Sequence, residues 1–332
     1  MKRIDLMNMA RGYWQSRVVL SAVELGIFEA LENKGQKAAA LARKIGGDER
    51  ATELLLNALV GLGVLRQSGG LFTLCGELKP LFGKGKGSAL AMLKHHAVLW
   101  DKWSRLSDSV KSGRIRPEAG KVGFHGGPAE AKAFTLAMRD GALPLAGAVV
   151  AELDLEGRKS LLDLGGGPGV YACEMARRYP LLEVSVVELP AVAEVGRELV
   201  AKEKDVRKRI HYVPSDIMSE ELPDGADCAF LSHVIHAEGE EAVAALYARI
   251  AKALVPGGLL IVRDFFLDNK GALPSSNSLF ALNMLVGTPR GRCYTLGESV
   301  AMLKWAGFKS ATPKASAACP DAGYILARKA LR

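Results

Sequence analysis

The sequence predicts an α/β protein: a seven-stranded, mostly parallel sheet flanked by helices, preceded by a mainly α-helical portion. Three observations predict it. Beyond residue 158, short apolar runs alternate with helical patterns, the order of a parallel sheet covered on both faces. Before residue 150 the apolar spacing is helical, interrupted by one glycine-centred pair of strand-like runs. At the first strand-to-helix junction of the second half lies a dense glycine turn, Gly165-Gly166-Gly167-Pro168-Gly169.

The elements follow in order. Val18, Val19, Ala22, Val23, Ile27, Phe28 and Leu31 are too densely apolar for a single surface stripe, so this helical stretch is buried on more than one side. A second helix spans 37–45, punctuated by Gly35 and Gly46-Gly47. A third opens after Asp48, whose side chain is suited to cap it, and runs to Leu62. Val64–Arg66 and Leu71–Leu74, joined across Ser68-Gly69-Gly70, read as a hairpin. Three helices and a hairpin make the winged-helix order. A glycine-lysine loop at 83–87 leads to a helical stretch over 89–112. Strands are expected at 160–164, 184–189, 209–213, 227–233 and 258–266, with helices at 169–178, 191–204, 240–254 and 295–306. Runs at 309–315 and 323–329 would close the sheet as an antiparallel hairpin.

Composition narrows the classes. The 332 residues are 49% apolar and 24% charged, which suits a globular chain with a large core. No apolar run reaches a membrane span, and no membrane partner is expected. Five dispersed cysteines without a Cys-x-x-Cys pair argue against a disulfide framework and place the protein in the reducing cytoplasm. The net charge of +8 is uneven: residues 1–150 hold 22 Lys/Arg against 13 Asp/Glu, while 151–332 hold 22 against 23. Ten basic residues fall within 79–121 (Lys84, Arg116 and Lys121 among them), read here as a solvated face.

The chemistry concentrates at the expected strand ends. Glycines let a ligand lie against the turn at 165–169. Glu188, at the end of the second strand, can accept both hydroxyls of a ribose, because a carboxylate presents two oxygens. Asp216 follows the third strand, placed for the far end of an adenosine. Together these point to an adenosine-type ligand. His233 and His236 are three residues apart, but no third ligand is evident and no metal is expected. His95, His96, His125 and His211 are read as structural or surface residues.

These residues resemble a known family. LDLGGGPG (162–169), VVELP (186–190), PSDIM (214–218), LSHVIHAEGEE (231–241), ALVPGGLLIVRDFFLD (253–268) and LFALNMLVGTPRGRCYT (279–295) stand in the order of the class I S-adenosylmethionine-dependent O-methyltransferases. The likeness is to members with an N-terminal winged-helix dimerisation domain: caffeate, hydroxyindole and polyketide O-methyltransferases. The resemblance implies a winged-helix dimerisation domain at 1–88, a helical linker contributing to the substrate pocket at 89–157, and a Rossmann-like methyltransferase domain at 158–332. It further implies a homodimer, with Tyr13 or Trp14 reaching the partner, and a small aromatic acceptor.

The resemblance also assigns residues. Asp163, Gly165 and Gly167 would cradle the methionine part of S-adenosylmethionine, and Glu188 with Leu189 the ribose. Ser215, Asp216 and Ile217 would flank the adenine, and Ser232 and His233 would lie along the cofactor. His236 falls on the catalytic base, which would take the proton of the attacking hydroxyl. Phe134 and Met138 match the helix that closes the family's pocket, and Phe265, Asn283 and Met284 would line it. The family's Asp and Trp after the histidine are Ala237 and Glu238 here, and Ala281 and Leu296 stand where acids that orient the histidine are expected. Asn283 and Glu298 are the nearby replacements. The alternatives are a family member with a different reaction, a NAD-dependent oxidoreductase, and a winged-helix DNA-binding regulator. The last would need a basic recognition helix, but 49–65 holds Arg50 against Glu49 and Glu53, so no nucleic-acid partner is expected.

Overall fold

The computed structural model describes residues 1–83, 85–115 and 127–331. Lys84, Arg116, Lys121 and His125 lie outside the described residues. The chain forms two compact units, Met1–Trp100 and Asp101–Arg332.

The N-terminal unit begins with α1 (Arg3–Arg11), none of whose residues is buried, and α2 (Tyr13–Glu24). The long helical stretch expected around 18–31 is broken at Gly26, which takes a left-handed conformation, so α3 (Ile27–Leu31) is a separate turn. Then come α4 (Ala38–Ile45) and α5 (Glu49–Gly61), the latter capped as expected by the Asp48 side chain accepting from the Ala51 amide at 2.8 Å. β1 (Leu65–Ser68) and β2 (Leu71–Leu74) form the hairpin. Ile27, Phe28, Leu31, Leu41, Leu56, Leu59 and Phe72 pack into this unit's core. The short α6 (Lys79–Phe82) and then α7 (Leu90–Trp103) follow. Within 79–115, Lys79, Lys86, Lys94, Lys111 and Arg114 are exposed and Lys102 is half-buried, with Lys94 paired to Glu29 at 2.8 Å.

In the second unit α8 (Leu106–Ser112), α9 (Pro128–Ala142) and α10 (Ala146–Ala151) precede β3 (Ser160–Leu164). The alternation continues through α11 (Val170–Arg178), β4 (Glu183–Glu188), α12 (Pro190–Val200), β5 (Ile210–Pro214) and β6 (Ala226–Ser232). It closes with α13 (Glu240–Ala253), β7 (Leu254–Asp264), α14 (Ser275–Gly287), α15 (Leu296–Trp305), β8 (Phe308–Ala315) and β9 (Gly323–Lys329). The strands order as β5-β4-β3-β6-β7-β9-β8, parallel from β5 to β7 and antiparallel at β9 and β8. Strand alternation feeds two cores, with Leu162, Leu164, Leu231, Leu260 and Val262 on one face and Leu161, Val184, Phe230 and Ile261 on the other. The strand order reverses direction between β3 and β6, and the crevice at their carboxyl ends is where open α/β sheets bind ligands.

One side chain ties that edge together. Tyr212 of β5 donates its phenol hydroxyl to the Gly167 carbonyl at 2.9 Å, and its ring lies where a Cβ on Gly196 of α12 would stand. Alanine normally gains about 1 kcal/mol over glycine in a helix. Here overpacking costs about 1–3 kcal/mol, and the displaced hydroxyl loses a bond of about 1 kcal/mol. Gly196→Ala is therefore expected to destabilise the protein by about 1–3 kcal/mol in chemical denaturation; an unchanged or raised stability would contradict this packing.

Candidate functional site

The glycine turn leaves β3 with Gly165, Gly167 and Gly169 all at positive φ. A Cβ at Gly165 would strike Val234, so only glycine fits there, whereas one at Gly167 would meet nothing within 4 Å. The turn is thus packed behind and open in front. Glu188, buried at the end of β4, accepts from the amides of Gly167 at 3.0 Å and Leu189 at 2.7 Å. Each oxygen keeps a further lone pair. Burial raises the Glu188 pKa, and Asp216 adds to the effect. Asp163, also buried, has one carboxylate oxygen without a hydrogen-bond partner. Burial, and then Glu188 beside it, push its pKa up to about 7.

Asp216 accepts from the Met218 amide at 2.9 Å and the Ser219 hydroxyl at 2.7 Å. Ser215 donates to Glu220, and Ile217 is buried beside the Gly165 position.

The second cluster stands at the ends of β6 and β7. Ser232 ends β6, and His233 follows with φ 58°, a left-handed conformation that non-glycine residues seldom adopt. His236, on a short turn, lies with Nδ1 2.7 Å from an oxygen of Asp264, the last residue of β7. That oxygen also accepts from the Phe265 amide at 2.7 Å and lies 3.8 Å from His233 Nδ1. Burial alone would raise the Asp264 pKa. The imidazoles of His236 and His233 outweigh it and hold the carboxyl well below the usual range. The ionised Asp264 holds the Nδ1 side of His236 and leaves Nε2 as the nitrogen turned away from the carboxylate. His233 is held down to about 4, by burial first and also by the Arg263 guanidinium, so it is neutral.

The acid on His236 is Asp264, in place of the suggested replacements Asn283 and Glu298. Neither suggested replacement is on the histidine. Asn283 accepts from Trp103 Nε1 at 2.8 Å, and Glu298 pairs with Arg292 and closes the N-terminal cap of α15. Ala281 and Leu296 likewise leave the histidine to Asp264. Aromatic rings surround His236: Phe280 meets it edge-on at 4.9 Å between centroids, and Phe265 lies 4.6 Å from Phe280. Asn283 and Met284 follow Phe280 by three and four residues on α14, sharing its face. Phe134 and Met138 are half-buried on α9. One atom each of His233, His236 and Asp264 falls within a 4.8 Å span, near enough to hold a metal ion. The Arg263 guanidinium on the other nitrogen of His233 opposes a cation there.

Sequence reasoning missed Asp264, Arg263, Tyr171, Phe280 and Trp103. The signal for two of them was present. Arg263 and Asp264 interrupt the apolar run Leu259–Val262 at the carboxyl end of a central strand, where charge is costly unless used.

Comparison with known proteins places the chain in a family. The profile of the O-methyltransferase domain matches residues 103–309, and that of the O-methyltransferase dimerisation domain matches 7–75. The chain belongs to the O-methyltransferase family. Acetylserotonin O-methyltransferase of Mus musculus molossinus is 32% identical over 91% of this chain and 83% of its own length. The 3-hydroxy-5-methyl-1-naphthoate 3-O-methyltransferase of Streptomyces sahachiroi is 29% identical over 91% of this chain and 88% of its own length. Among solved structures, human N-acetylserotonin methyltransferase in complex with SAM superposes with a TM-score of 0.86 at 27% identity, covering 99% of both chains. PigF with SAH superposes with a TM-score of 0.88 at 25% identity, over 99% of this chain and 100% of that one. This O-methyltransferase is an enzyme that draws its methyl group from S-adenosylmethionine, as its family does.

The displaced titration of Asp163 has a consequence for stability. Its folded value of about 7 exceeds the ordinary 3.8, so the folded protein keeps a proton that the unfolded chain releases. Stability therefore falls with rising pH from about 4 to 7 and levels off above, by roughly 4 kcal/mol at most for this group. Asp163→Asn removes that penalty. The melting temperature of the variant, relative to wild type, should rise between pH 5 and pH 8; a pH-independent difference would refute the assignment.

Proposed function

We propose that this O-methyltransferase methylates a hydroxyl on a small, flat aromatic or heteroaromatic acceptor, with His236 as general base and Asp264 as its positioning partner. One observation carries this reading: the 2.7 Å contact of His236 Nδ1 with a buried carboxylate, which leaves Nε2 uncommitted on an imidazole flanked by Phe265 and Phe280. Phenols have a pKa of about 10 and are mostly neutral at pH 7, so the acceptor must lose its proton as it attacks. Nε2 takes that proton, and Asp264 stabilises the imidazolium that results. Phe265 and Phe280 hold a flat ring at the base and exclude water around it. The Asn283 amide, fixed through Trp103, presents its NH2 as a donor to an acceptor oxygen, with Met284, Phe134 and Met138 filling the remaining apolar wall.

The residues at the glycine turn suit S-adenosylmethionine, which supplies an electrophilic methyl group when bound. The open front of Gly167, the free oxygen of Asp163 and the spare lone pairs of Glu188 support this fit. Gly165, Leu189 and Ile217 complete its apolar and backbone walls. Ser215 and Asp216 stand at the adenine end, and Ser232 and His233 along the methionine end.

We further read the N-terminal unit as a winged-helix dimerisation domain and the enzyme as a homodimer. Ile4, Leu6, Met7, Met9, Tyr13 and Trp14 are all roughly half exposed, an apolar patch that favours association. The match to the dimerisation domain supports the same conclusion. Among the described residues no helix is long and apolar enough to cross a membrane, and all five cysteines are free thiols, which suits the cytoplasm. Light scattering at micromolar concentration should return twice the 35.4 kDa chain mass; a monomer would count against this reading.

The catalytic assignment is tested by pH–rate profiles. His236→Ala should lower turnover by roughly 10²–10⁴-fold while cofactor affinity stays nearly intact. The deficit should shrink as pH approaches the acceptor's own pKa, because the acceptor then ionises unaided. Asp264→Asn should reproduce part of the loss. Parallel profiles with a small constant offset would make His236 a packing residue.

A further inference from the structure

Arg263 is 1% exposed and is the penultimate residue of β7. Its Nη1 donates to three groups, all uncharged: the Tyr171 hydroxyl at 3.4 Å, the Ser232 hydroxyl at 3.3 Å, and Nε2 of His233. Nε is enclosed and has no hydrogen-bond partner. The Tyr171 ring lies 5.6 Å from the guanidinium, adding a cation–π contact. Among the described residues no carboxylate forms an ion pair with it. The adjacent Asp264 is committed to His236 and the Phe265 amide. A guanidinium remains charged in a protein, and burying one without an anion is strongly unfavourable. The neutral shell eases that penalty without cancelling the charge.

The location gives the group a use. Tyr171 is in the first turn of the helix that follows the glycine turn, and Ser232 and His233 end the strand beside β7. Arg263 therefore stands at the sheet's carboxyl edge, one residue from the carboxylate that holds His236. We propose that Arg263 anchors an anion subsite that takes a carboxylate from a ligand of this enzyme. The inference rests on the methyl-transfer reading. A planar guanidinium with unused donors matches a carboxylate in charge and geometry. Two ligands bring that group to this edge: S-adenosylmethionine, through its amino-acid end, and an acceptor that is a hydroxyarene carboxylate.

Calorimetry on the full chain separates the sources. The first arm compares S-adenosylmethionine with its decarboxylated analogue. The second compares 3-hydroxy-2-naphthoate with 2-naphthol on protein loaded with S-adenosylhomocysteine. In one arm the carboxylate should improve affinity about 10–100-fold. Arg263→Met should abolish that preference and Arg263→Lys should retain part of it. The arm that responds names the source. Equal affinities within both pairs for wild-type protein would overturn the proposal without recourse to any variant, and so would a preference that survives Arg263→Met. Failure of S-adenosylmethionine to bind at all would overturn the methyl-transfer reading and this proposal with it.

Discussion

A single carboxylate, Asp264, carries its charge almost out of water, and the reactive end of the sheet is arranged around it. The group is 1% exposed, at the end of a strand in which the apolar run Leu259–Val262 gives way to Arg263 and then to Asp264 itself. An ionised carboxylate in that setting is tolerated only when donors surround it. Two donors reach its Oδ1, the His236 imidazole and the Phe265 amide, with the His233 ring 3.8 Å away, while Oδ2 has no hydrogen-bond partner. Their positions dictate much else. The left-handed backbone of His233 brings its ring within reach, and the short turn after β6 carries His236 back over the strand ends. The orientation of the imidazole, and hence which nitrogen is turned away, follows from the carboxylate rather than from the histidine itself.

Much of this was legible beforehand, and for an identifiable reason. Leu161–Gly169 displays period, composition and glycine spacing within nine residues, so the strand, turn and helix are all encoded locally. Glu188 and Asp216 lie at strand ends that the same alternation locates. The partner of His236 was not legible, because the 27 residues between it and Asp264 span a whole helix and most of a strand. Only the register of β6 against β7, with Ser232 opposite Arg263, brings them together. Phe280 and Trp103 were hidden for a related reason: ring contacts depend on rotamers and helix rotation, neither of which a residue list discloses. The break at Gly26 was missed because the apolar pattern continues straight through it, and only the backbone's left-handed turn divides the helix.

The same edge holds two kinds of uncompensated charge. At the glycine turn, Asp163 and Glu188 have no ion-paired cation among the described residues, and burial raises both pKa values, helped by Glu188 at Asp163 and by Asp216 at Glu188. Arg263, in contact with Tyr171, has no ion-paired carboxylate among the described residues. A fold optimised for stability alone would pair or remove such groups. Ligand recognition is the usual reason a protein keeps them, because they give a charged molecule an advantage that a neutral surface cannot.

The position of Tyr212 bears on how this sequence can drift. Its ring fills the space above Gly196 and approaches Gly169, while its hydroxyl grips the Gly167 carbonyl. A larger residue at 196 becomes acceptable only after the ring at 212 has shrunk, yet shrinking the ring first opens a void and frees the turn. Each single step passes through a less fit intermediate, so the two positions should be inherited as a pair. Among relatives, a bulky aromatic on this strand and a glycine on this helix should appear together or vanish together, a covariation produced by van der Waals contact and independent of the acceptor each enzyme methylates.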